Sequence, residues 1–321
     1  MYISYRYMKN PFFKFTACLL LMFSFAFGED IAERKRVSEH LQNISVTIKS
    51  KGDYSESEGS GVLIVREIKG EKVTFVWTAA HVIDNLRSVR EVINEEGQPR
   101  KVVEFKDPQV VKELVENGRR VGEIKMDAVV IKYSDADDGH DLALLMVRAK
   151  NYGQGSAEFF LNKKDSIVPI GTPLYHVGSL LGQTGANSMT SGIVSQVGRT
   201  LGKVEFDQTT VTAFPGSSGG GVFLEDGRYM GMLVRGAGEG FNLVVPVRRM
   251  LEWAKATNLL WALDPEAEVP SLSEIDSISV EDAGLKKKGG KKNNRKEFPF
   301  LIKTTTPTPL IFGPQLERRL R

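Results

Sequence analysis

Short runs of β-branched, aromatic and other apolar residues follow one another from residue 44 to residue 247, separated by Gly, Asn and Ser. Residues 44–48 alternate in polarity, and residues 61–66 and 72–77 flank a hairpin-like turn at 68–71. Alternation over so few residues is typical of half-buried strands. Many short strands with Gly-rich turns predict an all-β fold, either a barrel or a sandwich.

Three helices are predicted beside these strands. Asp30 is a suitable N-cap for a short N-terminal helical segment at residues 29–43. Pro108 at the start and Gly118 past the end predict a second helix between them. An apolar face at helical spacing predicts a C-terminal helix over residues 248–263.

The sequence excludes several kinds of chemistry. Its single cysteine, Cys18, can form no intrachain disulfide and no zinc site built on thiolates. Glycine-rich phosphate-binding motifs and the HExxH motif of zinc proteases do not occur in it. We therefore expect neither a metal nor a cofactor.

The first 28 residues have the features of an export signal. Arg6, Lys9 and Lys14 give a positive start, and residues 16–27 form a mostly apolar run that ends at Gly28. Such a run is shorter than a comfortable bilayer span, so the sequence predicts a signal peptide at residues 1–28 and a periplasmic or secreted protein. An uncleaved membrane anchor is the alternative.

The charge is unevenly distributed. Residues 29–284 contain 29 basic and 38 acidic residues, whereas residues 285–321 contain 11 basic and 2 acidic ones. The overall positive charge is therefore no evidence for a nucleic-acid-binding domain, and we expect no nucleic-acid partner.

Residues 264–321 show no periodic pattern and are predicted to form a disordered tail, basic from residue 285. The basic part is a solvated linker or, alternatively, makes weak contact with an anionic surface.

Three segments together indicate nucleophilic catalysis. His81 follows a predicted strand, Asp141 precedes an apolar run, and Ser218 lies in the sequence Gly216–Gly221. A serine hydroxyl needs a neighbouring base to take its proton, histidine is the base with a pKa nearest neutrality, and an aspartate can orient that histidine. The order His, Asp, Ser is one of the known triad orders.

Alternatives exist within these segments. Ser217 competes with Ser218 as the nucleophile, but Ser218 is followed directly by two glycines. Asp137 and Asp138 compete with Asp141, but only Asp141 adjoins the apolar run and can be buried. The backbone N–H groups of Gly216 and Ser218 are the predicted oxyanion hole, because glycines let the backbone turn these groups toward a substrate.

The sequences Thr78–His81, Asp141–Leu145 and Gly216–Gly220 resemble the three signatures of chymotrypsin-fold, trypsin-like serine peptidases. The disulfide-free HtrA/Deg branch is the most similar, over about residues 40–262. The resemblance implies two six-stranded antiparallel β-barrels within a peptidase domain at residues 44–263, with the three residues between the barrels. Three features depart from this family. Ser217 and Gly221 differ from the residues that are usual at their positions, and the segment at residues 85–126 is longer than expected. No PDZ domain fits in the residues after the helix.

In that family the base of the primary pocket lies about six residues before the nucleophile. The corresponding residues here are Thr212, Ala213 and Phe214, which imply a preference for small or medium apolar side chains. The resemblance thus predicts an exported serine endopeptidase that acts on proteins or peptides through an acyl-enzyme. A catalytically silent peptide-binding or chaperone-like protein of the same fold is the alternative.

Overall fold

The computed structural model describes residues 32–282, apart from positions 94–96, 117, 154, 163–165 and 237–239. Helix α1 occupies residues 32–43. The predicted signal at residues 1–28 and the basic tail at 285–321 lie outside the described residues. Among the helices described, none has the length and apolar character needed to cross a membrane.

The first half of the fold is a closed barrel with one additional hairpin. In chain order its elements are β1 (Ser45–Lys51), β2 (Glu56–Ile68), β3 (Glu71–Thr78), α2 (Ala80–Ile83), a 3-10 turn (Asp84–Leu86), β4 (Arg87–Ile93), β5 (Pro99–Phe105), β6 (Gln109–Glu116), β7 (Arg119–Ser134) and β8 (Leu142–Val147). The barrel closes in the order β1-β2-β3-β8-β7-β6. Strands β4 and β5 pair only with each other, so the long segment expected at 85–126 includes a separate two-stranded ribbon.

The second half is also a closed barrel and ends in helices. Its elements are β9 (Pro173–Leu180), a 3-10 turn (Gly182–Thr184), β10 (Gly185–Leu201), β11 (Val204–Thr209), β12 (Gly221–Leu224), β13 (Tyr229–Gly236), β14 (Asn242–Pro246), α3 (Val247–Ala256), a 3-10 turn (Leu260–Ala262) and α4 (Leu272–Asp276). The strand order is β10-β11-β14-β13-β12-β9. Two six-stranded antiparallel barrels and a C-terminal helix are therefore confirmed.

The helix predicted after Pro108 is wrong, because this segment is strand β6. It pairs with β1 on one side and with β7 on the other, and the pairing with β7 shifts register between Leu114 and Val115. Val110 and Val111 are both buried. Closing the barrel requires a strand here, and that tertiary requirement overrides the local helical pattern.

The C-terminal helix packs against the first barrel, although it follows the last strand of the second. Trp253 of α3 meets Trp77 of β3 edge-on, with ring centroids 5.9 Å apart. Trp261 meets Phe75 in the same way at 4.8 Å. Aromatic pairs of this kind stabilise by more than the area that they bury. The C-terminal segment therefore links the second barrel to the first.

The disorder predicted from residue 264 is wrong for residues 264–282. Helix α4 begins with a capping box between Ser271 and Glu274, and its Ile275 is buried. Further on, the carbonyl of Val280 accepts a hydrogen bond of 2.8 Å from the Tyr133 N–H of β7. This segment lacks periodicity but is held by contacts with residues distant in sequence, which a local pattern cannot predict.

Candidate active site

His81 lies on a single helical turn at the end of strand β3. Ala79 is still extended, and its carbonyl accepts from the Val82 N–H at 3.1 Å, which begins helix α2. Ala80, Val82 and Ile83 are buried, whereas the His81 side chain is 28% exposed. The buried residues fix the turn, and the imidazole remains partly exposed.

Asp141 is buried beside His81, as the sequence predicts. Its two carboxylate oxygens each lie 3.0 Å from His81 Nδ1, and one also accepts the His81 backbone N–H at 3.2 Å. Asp141 has a φ of +57°, a left-handed conformation that aspartate tolerates better than most residues. The rivals Asp137 and Asp138 are exposed, and their N–H groups donate to Asp135.

The pKa values of the pair agree with an ionised aspartate. Burial raises the pKa of Asp141, but the charge and hydrogen bond of His81 outweigh it, and the net pKa lies below its ordinary value. Burial likewise lowers the pKa of His81, but the Asp141 carboxylate outweighs it, and the net pKa lies above its ordinary value. Because an ionised carboxylate can only accept, Nδ1 of His81 carries the hydrogen and Nε2 is the free base in the neutral ring.

The structure distinguishes Ser218 from its neighbour Ser217. Ser217 is 1% exposed, and its Oγ accepts from the Phe214 N–H at 3.1 Å, so it is part of the loop's internal framework. Ser218 is partly exposed, and its Oγ donates to the Val234 carbonyl at 3.4 Å, a long and weak bond. Only the hydroxyl of Ser218 is therefore available at the surface of the loop.

Two backbone donors lie beside this hydroxyl. Within the described part of the chain, the N–H groups of Gly216 and Ser218 donate to no protein acceptor, whereas those of Ser217, Gly219 and Gly220 all do. The predicted oxyanion-hole pair is thus the pair that the loop leaves free.

Hydrogen bonds on the opposite side of each peptide hold these two donors in place. The Pro215 carbonyl accepts from the Leu181 N–H at 2.7 Å, and the Ser217 carbonyl accepts from the Gly220 N–H at 3.0 Å. Because the C=O and N–H of a trans peptide point in opposite directions, each bond turns the following N–H away from the loop's interior.

The Ser218 loop packs against the strand end that carries His81. Gly219 has a φ of +87°, and a Cβ there would lie 2.2 Å from the Ser60 carbonyl oxygen and 2.5 Å from Thr78 Oγ1. On the other side, a Cβ on Gly59 would meet Val82 at 2.5 Å and the Ser218 carbonyl oxygen at 3.1 Å. The two barrels approach each other so closely here that only glycine fits.

A positive charge lies close to the His–Asp pair. Arg235 of β13 donates to the Ala136 carbonyl at 2.9 Å, which ties the second barrel to the loop before Asp141. Its charge opposes the rise in the pKa of His81 and adds to the fall in the pKa of Asp141. Arg235 therefore contributes to the electrostatics of the pair without touching it.

The predicted pocket residues line an open surface. Thr212 is exposed and its carbonyl accepts from Thr190 Oγ1 at 2.9 Å, Ala213 is half-buried, and the Phe214 ring is 49% exposed. Phe214 directly precedes the loop that carries the free donors. A preference for apolar side chains at this surface stays a prediction.

The other two histidines near the site pack against other residues, and His176 lies against the Ser218 loop, where a Cβ on Gly220 would lie 2.7 Å from its Cε1. The centroid of the His140 ring lies 6.5 Å from that of the Trp253 ring. His176 is fully buried in β9, where its Nδ1 donates to the Gly221 carbonyl at 2.9 Å. Burial lowers the pKa of His176 to about 4, so the ring is neutral.

Ser60 and Arg235 contribute to the site but are not among the residues predicted from the sequence. A signal for Ser60 was present, because two glycines flank it within a strand, a pattern that marks close backbone approach. No signal in the sequence points to Arg235, since its place beside the His–Asp pair depends on how the two barrels meet.

No curated protein matches the chain by sequence. Among solved structures, the chain is similar to the serine endoprotease from Yersinia pestis, with 18% sequence identity and a TM-score of 0.48. The similarity covers 71% of this chain and 66% of that one, just under two thirds of the Yersinia protein's length.

The family model for the trypsin-like peptidase domain matches residues 59–232. This match includes His81, Asp141 and Ser218, and it spans more than half of the chain. The chain therefore belongs to the trypsin-like peptidase family.

Proposed function

We propose that the protein is an exported serine endopeptidase that hydrolyses peptide bonds through an acyl-enzyme on Ser218. The proposal depends mainly on the buried Asp141 carboxylate, whose two oxygens each lie 3.0 Å from His81 Nδ1, an arrangement that leaves Nε2 as the base. The partly exposed Ser218 hydroxyl and the two free N–H groups supply the other components of acyl transfer.

In the first half of the reaction, Ser218 Oγ attacks the carbonyl carbon of the peptide bond and its proton passes to His81 Nε2. The carbonyl oxygen becomes an oxyanion and accepts from the N–H groups of Gly216 and Ser218. Each such donor is worth about 3 kcal/mol of transition-state stabilisation. His81 then gives the proton to the departing amine, which leaves an ester on Ser218.

In the second half, water attacks the ester with His81 again as the base, and the acid product leaves. Asp141 remains ionised throughout and stabilises the imidazolium that forms in each half. Because Ser218 Oγ donates to the Val234 carbonyl in the free protein, its O–H must turn from that carbonyl to His81 Nε2 before attack. Contacts of this kind often tighten only when substrate binds.

The proposed substrates are proteins or peptides with a small or medium apolar residue before the cleaved bond. The half-exposed Phe214 and the half-buried Ala213 support this preference, and no acidic side chain occurs between residues 208 and 224 to pair with Arg or Lys. The positive start and apolar run of residues 1–28 support export. Resemblance to the HtrA/Deg branch supports the same location.

Labelling with a fluorophosphonate probe tests the proposal. We expect one adduct on Ser218, found by mass spectrometry, which disappears in Ser218→Ala and persists in Ser217→Ala. Cleavage of a peptide library should then show a preference for Ala, Val or Leu over Lys or Arg before the cleaved bond. A clear Lys/Arg preference would contradict the specificity, and absence of an adduct in folded protein would contradict the activity.

One observation favours the second candidate, a silent peptide-binding protein. The Ser218 hydroxyl donates to the Val234 carbonyl rather than to an imidazole nitrogen. If that bond persisted with a peptide bound, the hydroxyl would not be activated. The same labelling experiment decides between the two candidates, because a silent protein would bind peptides without forming an adduct.

A further inference from the structure

Ser60 of strand β2 connects the first barrel to the Ser218 loop through both its side chain and its backbone. Its Oγ donates to the Gly216 carbonyl at 2.7 Å, and its backbone N–H donates to the Ser218 carbonyl at 2.7 Å. Ser60 is fully buried, so water does not compete for these bonds. The two bonds fix the loop at both ends of the proposed oxyanion hole.

The same residue also holds the elements on either side of that loop. Ser60 Oγ accepts from the Ser179 N–H at 2.7 Å, near the end of β9, where Leu181 in turn holds the Pro215 carbonyl. The Ser60 carbonyl accepts from Thr78 Oγ1 at 2.7 Å, in the strand that leads to His81. Ser60 is therefore bonded to the nucleophile loop, to β9 and to the strand before the histidine.

The side-chain bond acts on the peptide between the two oxyanion donors. The N–H of the Gly216–Ser217 peptide donates to the Phe214 carbonyl at 2.9 Å, and its C=O accepts from Ser60 Oγ. The peptides before and after this one carry the free N–H groups of Gly216 and Ser218. Rotation of the middle peptide would turn both neighbours, because consecutive peptide planes share their Cα atoms.

We propose that Ser60 is a positioning residue that holds the Gly216–Ser218 loop in the geometry that accepts the oxyanion. This inference rests on the proposed function, since it assigns a role in the same reaction. Ser60 touches no reacting atom. Its effect therefore passes through the loop to the transition state, and binding of the unreacted substrate should change little.

The test compares Ser60→Ala with Ser45→Ala. Ser45 is 3% exposed in the neighbouring strand β1, and its Oγ donates to the Leu41 carbonyl at 2.8 Å, away from the loop. Ser45→Ala loses one buried hydroxyl hydrogen bond, whereas Ser60→Ala loses two, one to the Gly216 carbonyl and one from the Ser179 N–H. We expect Ser60→Ala to lower kcat about 10- to 100-fold, less than the 100- to 1,000-fold loss of an oxyanion donor itself, with KM changed less than about twofold. We expect Ser45→Ala to change stability but not kcat.

A transition-state mimic gives an independent measurement. A peptidyl aldehyde that matches the best substrate forms a hemiacetal with Ser218 Oγ, and its oxygen occupies the oxyanion site. The inhibition constant of this aldehyde should rise in Ser60→Ala by the same factor as kcat/KM falls. An unchanged inhibition constant, or a fall in activity that is entirely in KM, would overturn the role of Ser60.

If Ser60→Ala does not fold, two variants of Thr78 test the inference instead, because Thr78 Oγ1 donates to the Ser60 carbonyl. Thr78→Val has nearly the same shape but loses the hydroxyl that holds the Ser60 carbonyl, whereas Thr78→Ser keeps it. We expect kcat to fall several-fold in Thr78→Val and to be preserved in Thr78→Ser. Equal kcat in the two variants would overturn the inference. Ser218→Ala must abolish cleavage of the substrate that the wild-type protein cleaves. Cleavage by Ser218→Ala would overturn the proposed function rather than the role of Ser60.

Discussion

The Nδ1 atom of His81 lies 3.0 Å from each carboxylate oxygen of Asp141, and that carboxylate is 1% exposed. Burial tends to lower the pKa of His81, but the adjacent negative charge raises it more. The proposed base is the neutral imidazole, so activity must rise as His81 loses its proton. We expect kcat/KM to increase with pH along a limb whose midpoint lies above 6.5, the ordinary pKa of histidine.

Asp141→Asn should shift the midpoint of the rise of activity with pH and lower the activity that is reached above it. The amide carries no charge, so the pKa of His81 falls and the midpoint shifts to lower pH. The amide can also donate to Nδ1, which favours the tautomer with hydrogen on Nε2, and we expect the plateau of kcat to fall by about 10⁴-fold. A midpoint that does not move in stopped-assay pH profiles would contradict the assignment of Asp141.

Removing the charge of Arg235 should shift the midpoint of the pH profile in the direction opposite to Asp141→Asn. Its positive charge lowers the pKa of His81, so removing it in Arg235→Gln should raise that pKa and shift the midpoint of kcat/KM to higher pH. Arg228→Gln is the control, because Arg228 is paired with Asp226 at the turn between β12 and β13. A shift in both variants, or in neither, would show that Arg235 has no specific effect.

Gly219 should tolerate no side chain. Its φ is +87°, and a Cβ would lie 2.2 Å from the Ser60 carbonyl oxygen. Gly202 is a matched control, since its φ is +65° but no atom lies within 4 Å of the same position. We expect Gly202→Ala to cost about 1 kcal/mol in the free energy of unfolding, and Gly219→Ala to cost about 1–3 kcal/mol more and to abolish activity. Urea unfolding measures the two changes in stability, and the peptide-cleavage assay measures the activity of each variant.

The barrels and the site could be predicted to different extents. Strand alternation predicts an all-β fold, either a barrel or a sandwich, and the resemblance of the three signature segments to trypsin-like peptidases implies the two barrels and the pairing of His81 with Asp141. The helix prediction at strand β6 is wrong because Pro108 and Gly118 are placed as at the start and the end of a helix. The strand is revealed by its pairing with β1 and β7, and the pairing with β1 joins residues distant in sequence.

The contacts that complete the site could not be predicted from local pattern. The φ of +57° at Asp141 depends on the folded loop around it. The Ser60 bonds join residues more than 100 positions apart along the chain. The glycines that flank Ser60 indicate a close approach of the backbone, but they do not identify the partners, which depend on how the two barrels dock.

His176 should make the fold less stable in acid. Its pKa is lowered to about 4 by burial, whereas the unfolded chain has the ordinary value of 6.5. The unfolded state therefore binds a proton first as pH falls, and stability is lost between about pH 6.5 and pH 4, by roughly 3 kcal/mol. Urea unfolding across this range should show less loss in His176→Gln than in wild type. Equal slopes in the two proteins would contradict the assignment.

Residues 278–282 should stabilise the first barrel through Lys132. This lysine is 5% exposed, and its ammonium donates to the Ser279 carbonyl at 2.5 Å and to the Glu281 carbonyl at 3.1 Å. A chain ending at residue 277 should therefore be about 1.5–3 kcal/mol less stable than one ending at residue 282, because it leaves a buried charge without acceptors. In a Lys132→Met background the ammonium is absent, and the same truncation should cost less. If truncation lowered the free energy of unfolding equally in both backgrounds, residues 278–282 would not act through Lys132.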